Sequence, residues 1–387
     1  MKLHKTIYMD YSATCPLDPK VLKAMIPYLG DKFGNSSSLH SLGRETSEKV
    51  KQCRTILSKF LNAKNDEIIF TSSATESNNM ALKGIAFANK EKGKHIIISS
   101  IEHACIIKTS EYLEKQGFEI TKLPVNKHGL VQAKDLEQAI RKNTILVSII
   151  HANNEIGVIQ NIEELGKICQ VHGVLFHTDA SQSFGKLKID VGKMNLNLLT
   201  ASSHKIYGPK GAGLLYIQKG VKIEPLLHGG GHEFGLRSST VNVSAIAGFA
   251  KAVEIMHKNM SQECARIAKM RDFFINQVLD NIPDSYLNGH TQERLCNNIN
   301  FSFKGVEGES LVMQLDLAGI AGSTGSACAS SKHSASHVLL ALGMNPKLAK
   351  GSLRLSLGRW TTTQEIKKTL HILQSIVKKL RKVSGYK

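Results

Sequence analysis

Between residues 67 and 217 short apolar runs alternate with stretches of helical period, and this rhythm restricts the fold more than any other feature. The runs are Glu67-Ile-Ile-Phe-Thr71, His95-Ile-Ile-Ile-Ser99, Phe118 to Leu123, Thr144 to Ile150, Val174-Leu-Phe-His-Thr178, Asn197 to Ala201 and Gly213 to Ile217. They are short and largely apolar throughout, the pattern of strands covered on both faces. Helical stretches separate them. One is opened by Ser73-Ala-Thr-Glu-Ser77, one runs from Glu102-His103 to about Gln116, and others span Asp135 to Lys142 and Ile162 to His172. The expectation is an α/β fold with a mostly parallel central sheet.

The flanks read differently. Thr6-Ile-Tyr-Met9 is strand-like, and Asp18 is placed to cap a helix through Val21 to Met25. Leu42 to Leu61 reads as a long amphipathic helix with Val50, Ile56, Leu57 and Phe60 on one face. Residues 226–240 are glycine-rich, fit either to cradle a phosphate or to form a loop, but they lack the strand–G-x-G-x-x-G–helix order of a dinucleotide site. Residues 241–281 read as one or two long helices leading to a second domain. There, strands such as Asn298 to Phe303 and Gly351 to Leu357 mix with helices, the last from Thr363 to Lys382. That arrangement is a smaller α+β domain.

With 387 residues the chain is long enough for two domains with their own cores. It has no apolar run of about 18 residues and no secretory leader pattern, so a cytoplasmic location without membrane contact is expected. Seven cysteines, Cys15, Cys53, Cys105, Cys169, Cys264, Cys296 and Cys328, include no Cys-x-x-Cys pair, which argues against a disulfide framework and against an intrinsic metal site. Fifty Lys and Arg against 32 Asp and Glu give a net charge of +18, which favours anionic partners. The basic residues are spread out apart from a concentration at Lys367-Lys368 and Lys378 to Lys382, and no recognition motif accompanies them. Direct nucleic-acid binding is not expected.

The chemistry gathers around Ala201-Ser-Ser-His-Lys-Ile-Tyr-Gly-Pro-Lys-Gly211. Lys205 follows a strand, beside hydroxyls able to grip a phosphate, a setting for a Schiff-base lysine with pyridoxal phosphate. A solvated surface lysine is the ordinary alternative. Four more features fall on the same predicted edge, the carboxyl ends of the strands where open sheets bind ligands. Ala74-Thr75 at a helix N-terminus suits a phosphate. Asp179 suits a protonated ring nitrogen, Gln182 a phenolate oxygen, and His103 the face of a ring. Each alone has a plain reading as a cap, surface acid, solvated amide or core histidine; their coincidence with Lys205 favours the cofactor. Further on, Ala321-Gly-Ser-Thr-Gly-Ser-Ala-Cys328-Ala-Ser-Ser331 sets a cysteine among small residues, suited to a mobile loop with an accessible thiol, with Lys332, His333 and His337 near in sequence. Arg354 is a lone charge in an alternating strand, either a carboxylate clamp or a surface residue.

Taken together and in order, several motifs carry a resemblance. Tyr8-Met-Asp-Tyr-Ser-Ala-Thr14, Phe70-Thr-Ser-Ser-Ala-Thr-Glu-Ser-Asn78, Glu102-His103, His151-Ala-Asn-Asn-Glu-Ile-Gly157, Asp179-Ala-Ser-Gln182 and Ser202 to Gly211 are among them. Leu236-Arg-Ser, Ser323-Thr-Gly-Ser-Ala-Cys328, Ser336-His-Val-Leu339 and Arg354-Leu-Ser-Leu-Gly358 complete the set. Over nearly its whole length the chain resembles the cysteine desulfurases of the class V aminotransferase family, the group that serves iron–sulfur assembly and sulfur transfer.

The resemblance implies a fold-type-I, pyridoxal-phosphate-dependent homodimer. A large cofactor domain would span 15–255, and a small α+β domain 1–14 and 256–387. Lys205 would carry the cofactor. Thr75, Ser202 and His204 would bind its phosphate, with Ala74 and Ser203 beside them and Thr240 reaching over from the neighbouring subunit. Asp179 would hold the ring nitrogen, Gln182 the phenolate oxygen, and His103 would stack on the ring as part of the catalytic set. Asn154 would lie between cofactor and substrate, and Arg354 would take the carboxylate of L-cysteine. Cys328 would accept the sulfur as a persulfide while L-alanine leaves, then pass it to an acceptor such as an iron–sulfur scaffold or a tRNA thiolation enzyme; it would also be available as a transient iron–sulfur ligand with a scaffold partner. Two other readings stand beside this one: a class V aminotransferase or selenocysteine lyase without a persulfide relay, and a basic nucleic-acid-associated module with a degenerate cofactor site. The chain departs from the family pattern at His232, Phe234, Ser239 (where glycine is usual) and Val241, all in the segment that would cross to the partner. It departs also at Asn35-Ser36 and at Ser334-Ala335.

Overall fold

A computed structural model describes residues 6–325 and 335–386. In chain order the first half holds β1 (Ile7–Tyr8), α1 (Pro19–Met25), α2 (Ser41–Leu61), β2 (Ile68–Thr71), α3 (Ala74–Ala88), β3 (His95–Ser99), α4 (Ala104–Lys115), β4 (Glu119–Leu123), α5 (Ala133–Ala139), β5 (Thr144–Ser148), α6 (Ile162–Val171), β6 (Leu175–Asp179), β7 (Leu198–Ser202) and β8 (Gly213–Ile217). Then follow α7 (Val243–Asn281), β9 (Ser285–Leu287), β10 (Asn298–Phe303), α8 (Gly308–Leu317), β11 (Ile320–Ala321), α9 (His337–Ala341), α10 (Pro346–Ala349), β12 (Ser352–Ser356) and α11 (Thr363–Val383).

Seven strands form one sheet in the order β2-β8-β7-β6-β5-β3-β4. All are parallel except β8, which runs antiparallel to both β2 and β7. The sheet is therefore α/β and mostly parallel, as expected. Alternate residues of each strand face opposite sides. Ile68, Phe70, Ile97, Val147, Phe176, Leu199 and Leu214 pack into one core with Val50, Leu57, Leu165 and Phe249. Ile69, Ile96, Ile98, Leu146, Leu198 and Leu215 pack into another with Met80, Leu82, Ile85, Ile106 and Leu113. Covered on both faces, these strands have no polar register to show, which is why their sequences do not alternate.

A second, three-stranded antiparallel sheet has the order β12-β10-β9, and β1 pairs with β11. A separate core joins Phe301, Phe303, Leu353 and Leu355 of that sheet to Phe274, Leu311, Leu315, Ile366 and Leu373. The stretch 241–281, read as one or two helices, is a single 39-residue helix. It contributes Phe249 and Val253 to the first core and Phe274 and Val278 to the other. Two element ends differ from expectation. α5 ends at Ala139 rather than Lys142, because Ile140 turns to an extended backbone. β5 stops at Ser148 rather than Ile150, because the Ile150 amide is taken by the Glu102 carboxylate at 2.7 Å instead of a strand partner. Among the described residues no helix is long and apolar enough to cross a membrane.

The glycine-rich segment is anchored. Arg54 of α2 forms a two-pronged ion pair with Glu233 at 2.8 and 2.7 Å, and Glu233 also accepts the Phe70 amide at 2.8 Å. The guanidinium lies between the rings of Phe70 and Phe234, 4.6 and 5.0 Å from their centroids. This places Glu233 and Phe234 in left-handed backbone, at φ 48° and 59°. Ser239 is held at φ 139°, where a side chain is strained and glycine is at ease. Ser239→Gly is expected to stabilise the chain by about 1 kcal/mol, read as a higher urea midpoint at unchanged slope; an unchanged or lower midpoint counts against strain at this position.

Candidate active site

Strands β2, β3, β5, β6 and β7 point the same way, so their carboxyl ends meet on one edge of the sheet. A cavity of about 360 Å³ opens there. Its walls include Ala74, Thr75, His103, Asn154, Asp179, Gln182, Ser202, His204, Lys205 and Arg354, residues that come from widely separated parts of the chain.

After β7 the backbone makes one tight turn, Ser203–Ile206, which brings Lys205 off the sheet edge. Tyr207 then reverses the chain in left-handed backbone at φ 67°. Gly208 follows because a Cβ there would lie 2.0 Å from Ser203 Oγ. Lys205 Nζ donates to the carbonyls of Ser12 and Ala13 at 2.6 and 2.7 Å. Both acceptors are neutral. Desolvation, with Arg354 as the next cause, lowers the amine from 10.5 to about 8. A lysine in this state reaches its nucleophilic, uncharged form near neutral pH.

Asp179 is the last residue of β6 and is almost fully buried. The Ser181 amide donates to its Oδ1 at 2.9 Å, as does the Ser181 hydroxyl, and Asn78 Nδ2 donates to Oδ2 at 2.7 Å. Gln182 Nε2 spends one hydrogen on the Ser12 carbonyl at 2.9 Å, and its Oε1 is buried without a partner. Thr75 sits in the first turn of α3, whose N-cap is Ser73. His204 pairs with Thr14 Oγ1 at 3.0 Å, and burial lowers it to about 4, so it is a neutral imidazole. His103 caps α4 by accepting the Cys105 amide at 3.2 Å, and burial lowers its pKa.

Arg354 is 3% exposed, which settles the choice between clamp and surface residue in favour of the interior. Its Nη2 is 2.8 Å from Asp10 Oδ1, and its Nη1 donates to the Asn154 carbonyl at 3.1 Å. Its Nε is buried without a partner among the described residues. Ser203 is buried but lies outside the cavity lining, beside Gly208. Thr240 is exposed and away from the cavity, and no residue of the glycine-rich stretch lines it. Cys328, Lys332 and His333 lie outside the described residues. His337 begins α9, lines the cavity, and its Nε2 is 3.0 Å from the Glu102 carbonyl. Residue-by-residue reading did not single out Ser12, Ala13, Asn78, Cys105 or Glu155. Ser12, Ala13, Asn78 and Glu155 sit inside motifs quoted above, which was the signal available for them.

A phosphorylated pyridine aldehyde matches these donors. The cavity offers one amine of low basicity, one buried carboxylate ringed by donors, and hydroxyls with helix N–H groups on the same sheet edge. The family description "Aminotransferase class-V" matches residues 7–369. A relative named cysteine desulfurase IscS, from Dictyoglomus turgidum, is 51% identical over 385 residues, covering 100% of this chain and 98% of its own. Cysteine desulfurase IscS 1 of Archaeoglobus fulgidus is 48% identical, with 97% and 98% covered. Among solved structures, a NifS-like protein superposes with a TM-score of 0.91 at 35% identity, covering 96% of this chain and 99% of its own. A structure described as SspA in complex with cysteine gives 0.83 at 38% identity, with 92% and 100% covered. The chain therefore belongs to the class-V aminotransferase family, among its pyridoxal-phosphate-dependent cysteine desulfurases.

Proposed function

We propose that this enzyme converts L-cysteine to L-alanine in the cavity at the carboxyl edge, with the residues above in defined roles and Cys328 as the sulfur acceptor. The observation that carries the reading is the Lys205 amine, brought to about 8 and facing the same cavity as Asp179 and Arg354. Lys205 would hold pyridoxal phosphate through its amine. Thr75, Ser202 and His204, with Ala74 and Ser203 behind them, would seat the phosphate. Asp179 would meet the ring nitrogen, the second Nε2 hydrogen of Gln182 the phenolate oxygen, and His103 the ring face. Bound there, the cofactor supplies an electron sink for the carbanion left when the substrate Cα–H bond breaks.

The chain's own groups do the rest. Arg354 holds the substrate carboxylate, with Asn154 between substrate and cofactor. Lys205, released as a free amine, moves the Cα proton at Nζ. The Cys328 thiolate attacks the substrate sulfur; the new S–S bond forms as the substrate Cβ–S bond breaks, Cβ keeps the bonding pair and takes up a proton, and a persulfide remains on Cys328 as alanine departs. A cysteine-bound relative structure supports the substrate. Relatives named IscS support an iron–sulfur scaffold as acceptor, and a tRNA thiolation enzyme is the other acceptor class.

We also propose a homodimer, with Thr240 completing the partner's phosphate site. Its support is the exposed apolar series Leu22, Ile26, Leu29, Phe33 and Leu39, with Leu227 and Phe234 from the anchored glycine-rich segment. The division into 15–255 and 1–14 with 256–387 is supported by separate cores. One closes at Met256, and the other joins Ile7 and Met9 to residues from Ile267 onward. Six described cysteines are free, which suits a reducing compartment such as the cytoplasm.

Three outcomes are expected. Cys328→Ala should bind cofactor with normal absorbance yet form no labelled persulfide from labelled cysteine; full sulfur release by that variant would refute the assignment. Capture of pyridoxal phosphate by the cofactor-free chain, trapped with borohydride and mapped to Lys205, should speed up with pH and level off above about pH 8 rather than near the ordinary 10.5; a rate still climbing at pH 10 counts against a desolvated amine. Light scattering should give twice the 42.4 kDa chain mass, and a monomer would remove the role given to Thr240.

A further inference from the structure

Cys105 lines the same cavity, and no step above uses it. Its sulfur is 3.0 Å from His103 Nδ1, and its own amide donates to that nitrogen at 3.2 Å. An amide can only donate, so Nδ1 must carry a lone pair. The thiol then has one compatible role toward that nitrogen, as a second donor. Burial pushes the thiol up to about 12, so it keeps the proton it donates. On its other side the sulfur accepts from Asn78 Nδ2 at 3.2 Å. The second hydrogen of that amide reaches Asp179 Oδ2 at 2.7 Å. Asn78 cannot turn over, because its oxygen would then face the Asp179 carboxylate; that oxygen is buried with no partner as it stands.

We propose that Cys105 is a positioning residue that fixes His103 as the Nε2–H tautomer and joins it through Asn78 to Asp179. With Nδ1 filled, Nε2 is the ring nitrogen left to serve the cavity. The link has a second effect. Protonating His103 would place a hydrogen on Nδ1 opposite two donors, the Cys105 amide and thiol, so it must break the α4 cap. The charged groups around the ring do not supply this bias by themselves. Asp179 at the end of β6 and Glu155 in the loop after β5 favour the cation, while Lys205 after β7 and His337 at the start of α9 oppose it. Desolvation is the largest cause lowering His103, and two donors aimed at Nδ1 would act in the same direction.

The inference rests on the catalytic reading above, and its test separates the two. Nitrogen-15 histidine NMR on the cofactor-loaded enzyme should show His103 with its proton on Nε2; an Nδ1–H signal overturns the proposal whether or not the enzyme makes persulfide. Cys105→Ala keeps the amide but removes the thiol donor. It should raise the pH at which His103 protonates by about half to one unit, the size expected for one lost hydrogen bond. The acid limb of the kcat/KM profile should move with it, and Cys105→Ser should restore both. If Cys105→Ala, with normal cofactor absorbance and circular dichroism, leaves both midpoints in place, the thiol is only packing. If the enzyme releases no sulfur while the NMR results hold, the catalytic reading falls and the positioning role stands.

Discussion

The parallel run of β3, β5, β6 and β7, with β2 aligned to them, is the constraint from which the site follows. Parallel strands end on one edge, and each chain leaving that edge enters a loop or a helix N-terminus. Thr75, His103, Asn154, Asp179 and Lys205 come from five such exits. Reversing β6 or β7 would carry Asp179 or Lys205 to the opposite edge, away from the others. β8 does reverse, and it brings no residue to the cavity; it lies between β2 and β7 and joins the edge strand β2 to the sheet. The direction of each strand therefore decides which loops carry chemistry.

Burial then sets the electrical character of the groups. Lys205, His204 and His103 are all shifted toward their neutral forms, with desolvation the largest cause in each case. Glu102, fully buried beside His103, is moved the same way, up to about 8. It takes the Ser99 hydroxyl and the Ile150 amide on one oxygen, and its other oxygen has no partner. At neutral pH His204 and His103 thus line this side of the cavity as uncharged imidazoles. Burial thus lowers the cost of bringing Lys205 to its uncharged, proton-accepting form.

Much of this was legible in the sequence because apolar runs covered on two faces leave no other arrangement. The strands that were read lay within two residues of their places, while the short β9 and β11 were not read, and Asp179 and Lys205 stood out because a polar residue directly after such a run falls on the sheet's edge. What escaped were contacts between segments far apart in the chain. Nothing in Ser12-Ala13 says that its carbonyls meet Lys205, since a backbone acceptor has no residue signature. Cys105 reads as a small buried residue until its sulfur is found against His103. Arg354 stayed open between surface and interior because alternation shows that two faces differ, not which of them is covered. The glycine-rich stretch suggested a phosphate cradle, yet within one chain it lies away from the cavity, held by Arg54 through a side-chain pair that spans 179 positions.

Arg354 shows how the two halves of the molecule cooperate. Its strand, β12, belongs to the three-stranded sheet, while Asn154, whose carbonyl it holds, leaves the seven-stranded sheet after β5. Asp10, its ionic partner, follows β1 and pairs with Ser356 at the end of β12. The guanidinium therefore fastens three segments while already paired with one carboxylate. A second carboxylate, that of an amino acid substrate, would meet a cation that is fixed in place rather than one that must be ordered on binding. The loss of side-chain freedom, on the order of 1 kcal/mol for an arginine, falls on folding and not on substrate capture. Asp10 in turn keeps the site from holding a bare buried cation when no substrate is present, which would cost several kcal/mol. The N-terminal segment thus serves the site twice, through Asp10 on Arg354 and through Ser12 and Ala13 on Lys205.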